Sequence, residues 1–70
     1  MKRTPVESSS LVSVGYEPAS STLEVEFRNG HHYQYFMVPR LVVDGLLSAE
    51  SKGAYLNEFI RGCFPFRKVS

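Results

Sequence analysis

The 70-residue chain lacks most covalent and membrane devices that hold small proteins together, having a single cysteine, Cys63. A lone cysteine excludes an internal disulfide and any multi-cysteine metal site, and it fits a reducing compartment. Long apolar runs are also missing. Met1-Lys2-Arg3 leads into Thr4-Pro5-Val6-Glu7-Ser8-Ser9-Ser10 rather than into an apolar segment, so nothing near the start resembles a secretory signal. No run approaches membrane-spanning length either, and the expectation is a cytoplasmic protein without a membrane partner. Catalytic apparatus is equally sparse. No Ser/His/Asp set, paired-carboxylate site or cofactor loop can be assembled, so neither enzyme activity nor a cofactor is expected.

What is present is enough apolar material for one small domain. Hydrophobic residues make up 43% of the chain, with four Tyr and five Phe. That composition argues for folding, although a chain of this size sits near the lower limit for a core without a metal or disulfide. Residues 1–9 are expected to form a flexible tail and residues 10–70 a single domain. Charge is unevenly spread. From Ser51 onward, Lys52, Arg61, Arg67 and Lys68 oppose only Glu58, giving +3, whereas the preceding residues carry −2. A near-neutral total thus hides a basic end, the arrangement expected where a small domain meets an anion.

Alternation predicts three strands. Val12, Val14 and Tyr16 recur at period two, Glu17-Pro18-Ala19-Ser20-Ser21 supplies a turn, and Thr22-Leu23-Glu24-Val25-Glu26-Phe27 alternates again. Asn29-Gly30 then permits two hairpin registers, which place the following tyrosines on opposite faces. A three-residue loop, Arg28-Asn29-Gly30 with Gly30 left-handed, opposes Phe27 to His31, Val25 to Tyr33 and Leu23 to Tyr35. It is preferred because it gathers the apolar residues on one face and leaves Glu24, Glu26, Arg28, His32 and Gln34 on the other. Tyr33 and Tyr35 should then be mostly buried beneath the helices.

Two helices should follow. Pro39 suits the first position of a helix, whose buried stripe would be Val42, Val43, Leu46 and Leu47. Gly45 inside it implies close packing against the sheet. Ser51 is a good N-cap for a second helix that turns Tyr55, Leu56, Phe59 and Ile60 inward and ends at Gly62. The expected fold is α+β: a three-stranded antiparallel meander followed by two helices packed on one face.

Gly15-Tyr16, Leu23-Glu24-Val25-Glu26-Phe27, Tyr33-Gln34-Tyr35-Phe36, Val38-Pro39, Gly45-Leu46-Leu47, Ser51-Lys52-Gly53 with Tyr55, and Ile60-Arg61-Gly62 before Pro65 appear in an order and spacing that closely resembles the KTSC domain. That family is named for its occurrence at the C-terminus of some lysyl-tRNA synthetases, and it also occurs as free-standing small bacterial proteins. The resemblance covers residues 10–69. It implies the fold class and, through domain context, a lead toward RNA. The chain departs from the family pattern near its end, where Cys63, Phe64 and Phe66 stand in a region usually carrying tyrosines around the proline.

Several residues invite a chemical reading. Ser51-Lys52-Gly53 opens a helix whose free N–H groups could hold a phosphate, with Lys52 as counter-charge; an ordinary serine cap, with Lys52 lying over Tyr55, explains the same residues. Arg61, Arg67 and Lys68, interleaved with Phe64 and Phe66, combine cations for phosphates with rings for bases. The plain alternative is a tail folded back on the core. His31-His32 offers no metal site, since neighbours on a strand point to opposite faces. The expected function is a non-catalytic accessory module that binds RNA weakly through Lys52, Arg61, Arg67 and Lys68, with a stacking partner among Tyr55, Phe64 and Phe66. The rival is a protein-interaction or self-associating module, a homodimer included, that uses an open edge of the three-strand meander.

Overall fold

A computed structural model describes residues 3–69. Five antiparallel strands form one sheet in the order β1-β2-β3-β4-β5: β1 (Arg3–Pro5), β2 (Leu11–Glu17), β3 (Thr22–Phe27), β4 (His32–Tyr35) and β5 (Phe66–Lys68). Between β4 and β5 lie α1 (Arg40–Ser48) and α2 (Lys52–Tyr55), the latter continuing as a π-helical turn over Leu56–Ile60. The α+β class holds, but the meander gains a strand on each side. The tail expected over residues 1–9 is corrected at Arg3–Pro5, where Thr4 lies opposite Val14. The tail after Gly62 pairs as well, with Tyr35 opposite Phe66.

Hairpin chemistry fixes the central register as expected. Gly30 takes a φ of 92°, and the Phe27 N–H donates to the His31 carbonyl at 2.9 Å. Val25 therefore opposes Tyr33, and Leu23 opposes Tyr35. A bulge between Leu11 and Ser13 alters the β2 pattern. Val12 becomes the extra residue, so that Leu11 enters the core instead of Val12.

Leu11, Val14, Leu23, Val25, Tyr35, Val38, Val43, Leu46, Leu56 and Ile60 form the buried cluster between the sheet and the helices. In α1 the inward stripe is narrower than expected, because Leu47 is exposed and Val42 half-buried. Pro39 is the N-cap of α1 rather than its first residue, a position that also needs no N–H. Gly45 is a point of close approach, as expected, but its neighbour is Tyr55 rather than the sheet: a Cβ there would run into the phenol. That phenol donates to the Val42 carbonyl at 3.0 Å, locking α2 to α1.

The second helix departs most from its periodic pattern. Ser51 caps it, its hydroxyl accepting from the Ala54 N–H at 3.3 Å. After Tyr55 the ladder widens, and the Arg61 N–H reaches the Leu56 carbonyl at 2.7 Å, five residues back. Leu56 and Ile60 remain inside, while Phe59 is turned out and half exposed.

Candidate nucleic-acid interface

The two faces of the sheet have opposite chemistry. On the face away from the helices, Arg3 approaches Glu24 at 3.4 Å and Glu26 at 3.8 Å, and Gln34 donates to Glu24 at 3.0 Å. The Ser13 hydroxyl donates to Glu26 at 3.1 Å, and His32 lies 3.6 Å from the same carboxylate. Arg67 joins this layer, donating to Gln34 at 3.4 Å.

On the helix side, the helices leave the β4–β5 end of the sheet open. Because Phe66 and Lys68 oppose Tyr35 and Tyr33, they share the tyrosines' face, whereas Arg67 between them points to the polar one. The rings form a continuous set. Phe27 meets Tyr33 edge-on at 5.4 Å, and Phe66 lies 5.9 Å from Tyr33 and 6.0 Å from Tyr35. Together with Asn29 and Arg61 these rings line a groove of about 210 Å³. Burial pushes the Tyr35 phenol upward; Arg61 opposes that shift and Tyr33 reinforces it. Phe66 is 57% exposed, so a large flat ring is left open to solvent at the groove.

Tyrosine hydroxyls distinguish this groove from the rest of the core. Tyr16 donates to the Val38 carbonyl at 2.7 Å, and Tyr55 is likewise bonded to a backbone carbonyl. Among the described residues, Tyr33 and Tyr35 make no such hydrogen bond. Their polar tips are left for a ligand or water.

The residues singled out from sequence are thereby divided. Arg61, Phe66 and Lys68 lie on the groove side. Arg67 lies on the opposite face, so a single surface containing both Arg67 and Lys68 does not form. Lys52 donates to the Ala49 carbonyl at 3.0 Å, at the C-cap of α1. That carbonyl supplies the negative partner that a lysine in a first turn wants, so no anion is needed to explain it. Ser51 acts as a cap, and Gly53 packs against Ser10. Tyr55 is taken up by its bond to Val42 and by contact with Phe59 at 4.8 Å. Phe64 packs half-buried against the core, as a folded-back tail requires.

Phe27, Asn29, Tyr33 and Tyr35 were missing from the sequence-derived site. The hairpin register placed the rings on one face correctly but not how far the helices would cover them. Alternation of Phe66, Arg67 and Lys68 after Pro65 was the available signal for a fifth strand, and that strand carries Phe66 to the tyrosines. Among the described residues, no group of three or more His, Cys, Asp or Glu could hold a metal ion. Nor is any helix among them long and apolar enough to cross a membrane.

Known proteins resemble this chain in sequence and fold. The sequence profile of the KTSC domain matches residues 7–64. An uncharacterized protein of Stutzerimonas stutzeri is 48% identical over 61 residues, covering 87% of this chain and 86% of its own length. A lysine--tRNA ligase of Nostoc sp. is 42% identical over 64 residues, which are 91% of this chain but 11% of the ligase. The crystal structure of a KTSC domain protein from Yersinia pestis superposes with a TM-score of 0.93 at 41% identity, covering 99% of this chain and 97% of that one. On profile, sequence and structure alike, the chain belongs to the KTSC domain family.

Proposed function

We propose that this protein is a non-catalytic accessory module of a reducing, cytoplasmic compartment that binds single-stranded RNA weakly at the open end of its aromatic sheet face. The supporting observation is the groove formed by Phe27, Tyr33, Tyr35 and Phe66, with Asn29 and Arg61 in its wall. Aromatic platforms of this kind hold unpaired bases by stacking, worth about 1–3 kcal/mol per base, while neighbouring cations engage the backbone. Arg61 and Lys68 are the two cations available. Two phosphate contacts give a slope of about −1.4 in log affinity against log salt, shallow compared with dedicated binders.

A fluorescence titration against single-stranded RNA at two salt concentrations tests the proposal. Wild-type affinity should fall as salt rises, and Arg61→Ala or Lys68→Ala should weaken binding and flatten the salt slope. Lys52→Ala should leave binding unchanged, because its ammonium is committed to Ala49. Absence of salt-sensitive binding would overturn the proposal and leave recognition of a protein or a second copy through a sheet edge. Less supports that rival. The outer strands β1 and β5 are three residues each, one ending in Pro5 and the other carrying Arg67 and Lys68, features that blunt an edge.

A further inference from the structure

Small size and one-sided hydrogen-bonding chemistry narrow what the groove can take. Its volume of about 210 Å³ lies below the roughly 300–1,000 Å³ of sites for drug-sized ligands, so it suits a single ring system. Its polar lining is rich in donors. The Asn29 side-chain oxygen accepts the His31 N–H at 3.0 Å, which fixes the amide's orientation and leaves its NH2 as the group on offer. Arg61 is a donor only, and among the described residues its side chain makes a long 3.4 Å contact to Asn57. Among the described residues no carboxylate lines the groove, and its side-chain acceptors are the Tyr33 and Tyr35 hydroxyls and the Asn29 oxygen already engaged by the His31 N–H.

We infer that the groove receives one unpaired base and prefers uracil, which presents two ring carbonyl oxygens, over adenine, which presents none. Uracil can offer a carbonyl oxygen to both the Asn29 amide and the Arg61 guanidinium, whereas adenine has only ring nitrogens to accept with and turns its exocyclic amino donor toward one of those donors. A donor facing a donor leaves both unsatisfied as the ring is desolvated, and that mismatch supplies the discrimination. Phe66 provides the stacking face. This inference rests on the nucleic-acid reading and adds to it a footprint and a base preference.

The test uses the full chain with three probes of equal length: oligouridylate, oligoadenylate and an abasic oligomer that retains the phosphates. Wild type should bind oligouridylate about tenfold more tightly than either of the others, the effect of one well-made hydrogen bond. Phe66→Ala should weaken oligouridylate binding and leave the abasic probe unaffected. Asn29→Ala removes the acceptor for His31 and is open to a folding explanation, so the informative variant is Asn29→Asp. It keeps an oxygen for the His31 N–H but replaces the NH2 with a second acceptor, and the uracil-to-adenine ratio should fall to about one or below. Equal binding of all three probes, or an Asn29→Asp ratio like that of wild type, overturns the base-pocket inference while leaving salt-sensitive binding intact. Failure of every probe to bind overturns the nucleic-acid reading itself.

Discussion

The polar and aromatic faces of this sheet lie back to back, yet they treat their functional groups differently. On the polar face, Arg3, Glu24, Gln34 and Arg67 make a chain of contacts from β1 through β3 and β4 to β5. These contacts engage most of the polar groups on this face, although the buried Arg3 Nη1 makes ion-pair contacts without a hydrogen bond. Beneath the helices the hydroxyls are used in the same self-satisfying way, by Tyr16 on the sheet and by Tyr55 on α2. The open end does not. Half-buried Tyr33 and exposed Phe66 present ring faces beside Arg61, and buried Tyr35 forms the floor of the same groove. The lesson concerns basic residues in particular: Lys52 is engaged by the Ala49 carbonyl and Arg67 faces the polar side, while Arg61 and Lys68 stand beside the rings.

The largest expected effect separates the two tyrosines of β4. Tyr35 is 3% exposed, so Tyr35→Ala should destabilise by about 3 kcal/mol or more, as for other buried large side chains. Half-buried Tyr33 should cost less on the same substitution, and equal losses in chemical denaturation would erase the distinction between covered and open ends. Next comes the helix junction. Gly45→Ala pushes a methyl into the Tyr55 phenol and should destabilise by about 2 kcal/mol, and the double change Gly45→Ala with Tyr55→Phe should relieve this only in part, because the ring Cζ would still lie 2.7 Å from the added Cβ.

Hydroxyl deletions sharpen the comparison further. Tyr16→Phe strands the Val38 carbonyl and should lower stability by about 1 kcal/mol, while Tyr33→Phe should change it by less than about 0.5 kcal/mol yet weaken RNA binding. A similar stability loss at both positions would mean that the Tyr33 phenol has an internal partner after all. The smallest effect is a pH dependence. The Tyr35 phenol is raised above 10.0, mainly by burial, so the folded state holds its proton longer than the unfolded state does. Its contribution is complete below about pH 10 and is lost as pH rises through the folded value. Tyr35→Phe should therefore flatten the alkaline end of a stability profile, and an unchanged slope above pH 10 would remove the burial argument.

Much of this protein was legible from local rules. Left-handed Gly30, the Val25–Tyr33 register, the Ser51 cap and the family resemblance all follow from short-range spacing, because turn geometry and side-chain alternation are properties of a few consecutive residues. Two devices were not. The bulge that swaps Leu11 for Val12 and the π-helical turn that expels Phe59 each insert a residue out of phase, and period-based reading assumes constant phase. The site depended on something further still. Phe66-Arg67-Lys68 reads as one basic and aromatic cluster along the chain, but pairing it with β4 sends Arg67 to one face and Phe66 and Lys68 to the other. Sequence alone determined which residues form the central strands and which face of that sheet is apolar. Only the tertiary structure decided where the helices stop covering that face, because coverage depends on how far two packed elements overlap, a long-range quantity that no local pattern encodes.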